Sequence, residues 1–135
     1  MGTMTDPQLL TYDNVIAAIA DVGEPRSKSQ DRHIPVKGCY KAFNTLAKEF
    51  PDNFPNLFFY DRSGVPYSKE LEDILFQLSA WRQIQDNNPD YLKFTITKET
   101  KKAIREEINS NYKNDKQAIE NFRKISSRFS SLLQN

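Results

Sequence analysis

The sequence predicts an α+β domain that is mostly helical and carries one β-hairpin and a long C-terminal helix. Apolar residues recur every three or four positions over most of the chain, as on one face of a helix. Around residues 92–96 apolar and polar residues instead alternate, which is the period of a half-buried strand, and turn-forming residues precede this segment. At 135 residues the chain is long enough to bury a core without a metal ion or a disulfide.

The N-terminal part is predicted to contain two helices joined by a long loop. We expect residues 1–12 to be a tag and a disordered N-terminus, and the first helix to run from an N-cap at Asp13 to a stop at Gly23. Residues 24–35 show no apolar period and include two prolines, which is typical of a loop. The helical period returns over residues 36–50 and predicts the second helix.

A short aromatic strand and a third helix are predicted next, on either side of a sharp turn. The strand lies between Pro55 and Gly64, and the glycine permits the chain to reverse. Ser68 is the expected N-cap of the third helix, and Tyr67 is expected to pack back onto that helix as a hydrophobic staple. Apolar residues over positions 71–81 form the buried stripe of this helix.

The C-terminal part is predicted to contain the β-hairpin and two more helices. The hairpin covers residues 82–97 and turns at the sequence DNNPD. Thr97 is the expected cap of the fourth helix. We expect a domain over residues 13–110, followed by an amphipathic helix over residues 111–135 whose apolar residues are spaced for packing along a seam.

The order of the predicted elements indicates how the core is arranged. Helix, strand, helix and β-hairpin follow one another in a winged helix-turn-helix core, in which the third helix and the hairpin pack over one small apolar centre. We therefore expect a core like that of the winged helix-turn-helix proteins. A generic α+β domain is the alternative.

Residues 57–108 resemble a known group of proteins. The aromatic strand, the turn GVPYS, the helix ELEDILFQL and the segment YLKFTITKETKKAI are similar to the pattern of small prokaryotic winged-helix proteins, including phage-associated Panacea-type antitoxin domains. This chain departs from the pattern by inserting Val65 ahead of Pro66 and by having no glycine at positions 99 and 100, where one is usual. The resemblance implies a role in regulation or in neutralising another protein rather than in catalysis.

Residue types that carry catalysis are scarce in this chain. It has one histidine, His33, and one cysteine, Cys39, which lies on the apolar face of the second helix, where a free cysteine is usually buried. The four glycines match no phosphate-binding loop, and no cluster of metal ligands or of acid and base groups is visible. We therefore expect no enzymatic activity, no metal and no cofactor. The single cysteine and the lack of a long apolar run are consistent with a cytoplasmic protein that does not bind membranes.

The basic residues are distributed unevenly, although the net charge is only +1. Residues 1–90 have 9 Lys and Arg against 13 Asp and Glu, whereas residues 91–135 have 10 against 5. If the chain binds nucleic acid, we expect the contacts to come from its basic loop, its second and third helices and the hairpin. The residues concerned are Arg26, Lys28, Arg32, Lys37, Lys41, Lys69 and Lys93. Basic residues of the last two helices are the other option: Arg105, Lys113, Arg123, Lys124 and Arg128.

The third helix is an unusual candidate for reading DNA, because acidic residues fill its first turns. Glu70, Glu72 and Asp73 suit the positive end of the helix dipole, but they would repel phosphates. Either this helix does not enter a DNA groove, or the domain binds a protein through this face.

The apolar stripe of the last segment has two interpretations. It closes the core of its own chain, or it pairs with a second copy or with a helix of a partner. We favour a homodimer, with contacts from Ile119, Phe122, Ile125, Phe129 and Leu132. The first functional hypothesis is thus a small non-enzymatic winged-helix regulator of transcription that binds nucleic acid as a dimer. The alternative is a protein-interaction module, such as an antitoxin or an adaptor in a prokaryotic defence or phage-related system.

Overall fold

The computed structural model describes residues 7–21, 31–82, 85–86 and 93–133. Within them the chain forms five α-helices and two small antiparallel β-sheets. In chain order the elements are α1 (Pro7–Ile19), β1 (Arg32–Pro35), α2 (Val36–Glu49), β2 (Tyr60–Arg62), β3 (Val65–Tyr67), α3 (Lys69–Arg82), β4 (Gln85–Asp86), β5 (Lys93–Ile96), α4 (Lys98–Asn111) and α5 (Lys116–Leu133). The prediction of a mostly helical α+β fold is therefore confirmed.

The predicted β-hairpin belongs to a three-stranded sheet. Strand β5 pairs antiparallel with β4 on one side and with β1 on the other, so the strand order is β1-β5-β4. Ile34 of β1 lies opposite Phe94 of β5, and the Ile34 side chain is fully buried. The sequence analysis predicted a loop over these residues. The strand is short, ends at Pro35 and buries only one residue, so its sequence shows little of the apolar period of a strand.

A second hairpin lies between α2 and α3, where the sequence predicted a strand followed by a turn. Strands β2 and β3 pair antiparallel, with Tyr60 opposite Tyr67. Ser63 and Gly64 connect them, and both have positive φ, at 54° and 84°. Turns of this handedness suit the twist of two-residue hairpins, and glycine adopts them without strain. Asp61 accepts a hydrogen bond from the Gly64 amide at 3.3 Å, which holds the turn.

Helix α1 begins earlier than predicted. It starts at Pro7, and proline suits the first helical position because an N–H there would have no helical partner. The prediction of disorder is therefore wrong for residues 7–12, while residues 1–6 lie outside the described part. Asp13 is not an N-cap: it is buried inside the helix, where its carboxylate accepts a hydrogen bond from the hydroxyl of Tyr112, just after α4. Burial raises the pKa of this carboxyl.

The core is built around α1. Residues 15–20 are all fully buried, as expected for a helix that is apolar all round. Helix α5 packs against both α1 and α2, and between α2 and α5 the ring centroids of Phe43 and Phe129 lie 4.6 Å apart. The predicted stop at Gly23 lies outside the described residues. Among the helices that the structure describes, none has the length and apolar character needed to cross a bilayer.

Two helix caps that the sequence predicts are confirmed. The Ser68 hydroxyl accepts a hydrogen bond from the Leu71 amide at 3.1 Å. At the start of α4 the Thr97 hydroxyl accepts one from the Thr100 amide at 3.2 Å. Each bond satisfies a backbone N–H that has no partner within its helix.

We expect Ser68→Ala to lower the free energy of unfolding by about 1 kcal/mol, because the Leu71 amide loses its acceptor at a fully buried position. Urea denaturation followed by far-UV circular dichroism would measure the change. Ser127→Ala is the matched control, since Ser127 is exposed within α5 and alanine favours a helix. An equal loss in both variants would contradict the assignment of Ser68 as a cap.

Candidate nucleic-acid interface

A groove separates the start of α2 from the β2–β3 hairpin, whose second strand packs against this helix. The volume of the groove is about 220 Å³. Its lining comes from α2, from both strands of the hairpin and from the start of α3: Val36, Lys37, Tyr40, Arg62, Val65, Pro66, Tyr67 and Glu72. The groove thus combines apolar walls with two cations and one carboxylate.

Three tyrosines form a cluster beside the groove. The rings of Tyr40 and Tyr67 lie nearly parallel, at 9°, with centroids 5.7 Å apart. Tyr60 meets Tyr67 edge-on with centroids 5.4 Å apart, and 57% of Tyr60 is exposed. The Arg62 guanidinium lies over the Tyr67 ring, 4.3 Å from its centroid, in a cation–π contact. This tyrosine cluster joins the hairpin to α2 and holds an arginine and an accessible aromatic ring next to the groove.

The tyrosine hydroxyls at the groove stay protonated near neutral pH. Burial raises the pKa of Tyr40, and the neighbouring Glu72 carboxylate raises the pKa of Tyr67. The charges that line the groove are therefore those of Lys37, Arg62 and Glu72.

Two basic side chains, Lys37 and Arg62, line the groove together with Tyr40 and Tyr67, and Lys41 follows Lys37 by one helical turn. Lys37 and Lys41 are exposed and lie four residues apart on α2, so they project from the same face of the helix. Arg62 is exposed on β2. Among the described residues, none of the three forms a salt bridge. Lys37, Lys41 and Arg62 are called the basic rim below.

Lys69, another predicted nucleic-acid contact, is paired with an acid. Its ammonium group lies 3.1 Å from the Asp73 carboxylate, one helical turn along α3. This carboxylate raises the pKa of Lys69 and places a negative charge beside the cation. Lys69 is therefore less suited to a phosphate than the side chains of the basic rim.

Arg32 turns inward and holds the end of α1. Its guanidinium donates hydrogen bonds of 2.9 Å to the carbonyls of Ala18 and Ile19, and one of 2.7 Å to the Ser130 hydroxyl. It also lies over the ring of Phe129, 5.3 Å from the centroid. The bonds to α1 satisfy carbonyls that have no partner at the end of a helix. Arg32 is therefore a structural contact within this chain, and its assignment as a nucleic-acid contact stays a prediction.

Several other basic residues cannot be assigned to this surface. Arg26 and Lys28 lie outside the described residues, and Lys93 is described only by its backbone position in β5. Arg128 of α5 donates two hydrogen bonds, of 2.9 and 2.8 Å, to the Glu49 carboxylate. This bidentate pair joins α5 to the end of α2.

The apolar stripe of α5 packs within its own chain. Phe122, Ile125 and Phe129 are buried in the core, and Ile119 and Leu132 are partly buried against it. This packing is the first of the two interpretations of the stripe, and a contact of these five residues with a second chain stays a prediction. Dimerisation itself stays a prediction.

His33 and Cys39 lie in different environments. The exposed His33 shares a hydrogen bond of 2.8 Å with the Thr95 hydroxyl, through its Nδ1. Cys39 is fully buried, and burial raises the pKa of its thiol, which makes it a poor nucleophile. Within the described part of the chain, no group of three or more His, Cys, Asp or Glu could hold a metal ion.

The sequence analysis names Lys37 and Lys41 but misses the hairpin side of the groove. The expectation that Tyr67 packs back onto α3 does not include the stacking of its ring on Tyr40 of α2. The sequence signal for this side of the groove is the dipeptide Ser63-Gly64. A two-residue turn at these positions would place the residues of the two flanking strands opposite one another. That register would have brought an arginine and two tyrosines together.

No family model matches this chain, and neither a curated protein nor a solved structure shows significant similarity to it. Function is therefore inferred from the sequence and the geometry.

Proposed function

We propose that this chain is a non-enzymatic regulatory domain that binds nucleic acid at the groove between α2 and the β2–β3 hairpin. The observation that carries the proposal is the basic rim: Lys37 and Arg62 line the groove with two tyrosines, Lys41 lies one turn after Lys37, and none of the three forms a salt bridge among the described residues. Lysine and arginine bind phosphates, and aromatic rings stack on bases. A surface that combines the two is typical of proteins that bind nucleic acid.

The connectivity of the larger sheet supports a winged-helix type of core. Strand β1 precedes α2 and pairs with β5, the second strand of the hairpin that follows α3. Two helices therefore lie in the chain between the first strand of the sheet and its hairpin, whereas the sequence predicted the strand between these two helices. The β2–β3 hairpin is an insertion between these two helices.

The charges of α3 argue against the use of this helix as a reader of duplex DNA. Its exposed residues include Glu72 and Asp73, and Lys69 is paired with Asp73. Carboxylates at the surface of a groove-entering helix would face phosphates and lower the affinity. The basic rim lies on α2 and β2 instead, so we place the contact there.

Removing the charges of the basic rim is expected to weaken nucleic-acid binding and to flatten its salt dependence. The variant carries Lys37→Gln, Lys41→Gln and Arg62→Gln. Loss of three phosphate contacts should lower the slope of log affinity against log salt by about 2 to 3. Fluorescence anisotropy with labelled duplex and single-stranded DNA, titrated at several salt concentrations, would measure the slope.

A second triple variant controls for the change in net charge. Lys102, Arg123 and Lys124 are exposed on α4 and α5, away from the groove, and their replacement by glutamine removes the same three charges. This control should keep most of the affinity and of the slope. An equal loss in both variants would contradict the proposed site, and a wild-type protein that binds no nucleic acid at low salt would contradict the proposed function.

A protein-interaction module is the second candidate function, and α3 favours it. Phe76 on this helix is 75% exposed, and the acidic residues Glu72 and Asp73 lie one turn before it. A large exposed aromatic residue beside acids fits a partner surface that is apolar and basic. An antitoxin or adaptor role would then replace nucleic-acid binding.

A further inference from the structure

The groove is lined by charges of both signs. Lys37 and Arg62 provide two cations, whereas Glu72 of α3 provides a carboxylate in the same lining. The rest of the lining comes from Val36, Val65 and Pro66 together with the rings of Tyr40 and Tyr67. A ligand for this groove therefore needs a flat apolar body, a negative group and a hydrogen-bond donor.

An ionised carboxylate only accepts hydrogen bonds, so Glu72 distinguishes between the bases. Cytosine and adenine carry an exocyclic amine that donates hydrogen bonds, whereas thymine and uracil carry a carbonyl oxygen at the corresponding position. The one donor on the pairing edge of thymine or uracil, the ring N–H, lies between two carbonyl oxygens. The carboxylate would bind the amine, whereas at a thymine or uracil it would face these two oxygens. Such discrimination requires a base whose pairing edge is free, as in a single strand.

We propose that the groove takes an unpaired base of a single strand and selects a base with an exocyclic amine through Glu72, while Lys37 and Arg62 hold its phosphates. This inference rests on the proposed function and names its ligand class. A basic peptide fits less well because it would face Lys37 and Arg62, and an acidic peptide because it would face Glu72.

The test compares oligo-dC with oligo-dU of equal length at neutral pH, because these two bases differ only at the exocyclic group and at the ring nitrogen beside it. We expect fluorescence anisotropy to show oligo-dC bound about tenfold more tightly than oligo-dU, which is the size of one hydrogen bond to a charged group. Glu72→Gln should reduce the ratio of the two affinities to about one, because an amide both donates and accepts.

Asp73→Asn is the matched control for the loss of charge. Asp73 is the next residue of α3, is exposed and does not line the groove, so the preference for oligo-dC should remain. Glu72 is also exposed, and glutamine keeps its length and an acceptor, so this variant should fold normally, as its circular dichroism spectrum would verify.

The outcomes separate this inference from the proposed function. Equal affinity of the wild-type protein for oligo-dC and oligo-dU, together with a steep salt dependence that the basic-rim variant loses, would overturn the inference alone. A preference for oligo-dC that survives Glu72→Gln would overturn the role of Glu72 and with it the inference. Absence of binding to both oligonucleotides would overturn the inference and the proposed function together.

Discussion

Phe129→Ala is expected to lower the free energy of unfolding by about 3 to 5 kcal/mol. The ring of Phe129 is fully buried between α5 and α2, with its centroid 4.6 Å from that of Phe43. It also lies beneath the guanidinium of Arg32, which is 5.3 Å from the ring centroid. The substitution removes both contacts and leaves a cavity at the centre of the core. Urea denaturation followed by circular dichroism would measure the loss.

Phe76→Ala is the matched control, because this phenylalanine is 75% exposed. We expect its effect to stay within about 0.5 kcal/mol. Since Phe129 packs within its own chain, the loss in Phe129→Ala should not depend on protein concentration. A loss that grows as the protein is diluted would indicate that the stripe of α5 pairs two chains instead.

Arg32→Met is expected to lower the free energy of unfolding by about 2 to 4 kcal/mol, because methionine fills much of the space but donates no hydrogen bond. The carbonyls of Ala18 and Ile19 lose the donor that lies 2.9 Å away in each case. Lys41→Met is the control, since Lys41 is exposed on α2 and should tolerate the change. Urea denaturation of the two variants would give both values.

The same variant separates the two roles considered for Arg32. A structural role predicts that Arg32→Met, under conditions where it is folded, binds nucleic acid as the wild-type protein does. Unchanged stability together with weakened nucleic-acid binding would indicate that Arg32 contacts a phosphate. The hydrogen bonds of Arg32 within the chain would then contribute little to the free energy of unfolding.

The features that the sequence predicts correctly are those that depend on near neighbours. Ser68 and Thr97 cap helices through amides three residues away, and this pattern is visible in the chain itself. The apolar spacing of α5 likewise predicts a helix with one buried face. Contacts between residues that are far apart in the chain cannot be read from such local patterns. Asp13 has the residue type of a cap but bonds to Tyr112, and Arg32 has the residue type of a phosphate contact but bonds to α1.

The candidate site likewise combines residues that local patterns predict with residues that depend on strand pairing. Lys37 and Lys41 follow from the helical spacing of α2, because both lie on the polar face of a well-marked helix. Tyr60 and Arg62 depend on the register of β2 with β3, which is fixed by positive φ at Ser63 as well as at Gly64. Serine adopts that conformation less readily than asparagine, aspartate or glycine, so Ser63 and Gly64 are a weaker signal of a two-residue turn than Asn-Gly or Asp-Gly.

The packing of α5 on α1 also sets the order in which the chain can complete its fold during synthesis. Helix α1 is made early, yet its fully buried residues 15–20 are covered in part by α5, which follows about a hundred residues later. Strand β1 likewise cannot pair until its partner β5 has been synthesised. Until α5 has emerged from the ribosome, part of α1, the most apolar helix of the chain, therefore stays exposed to solvent. Chaperones that bind exposed apolar segments would meet this chain chiefly during that interval.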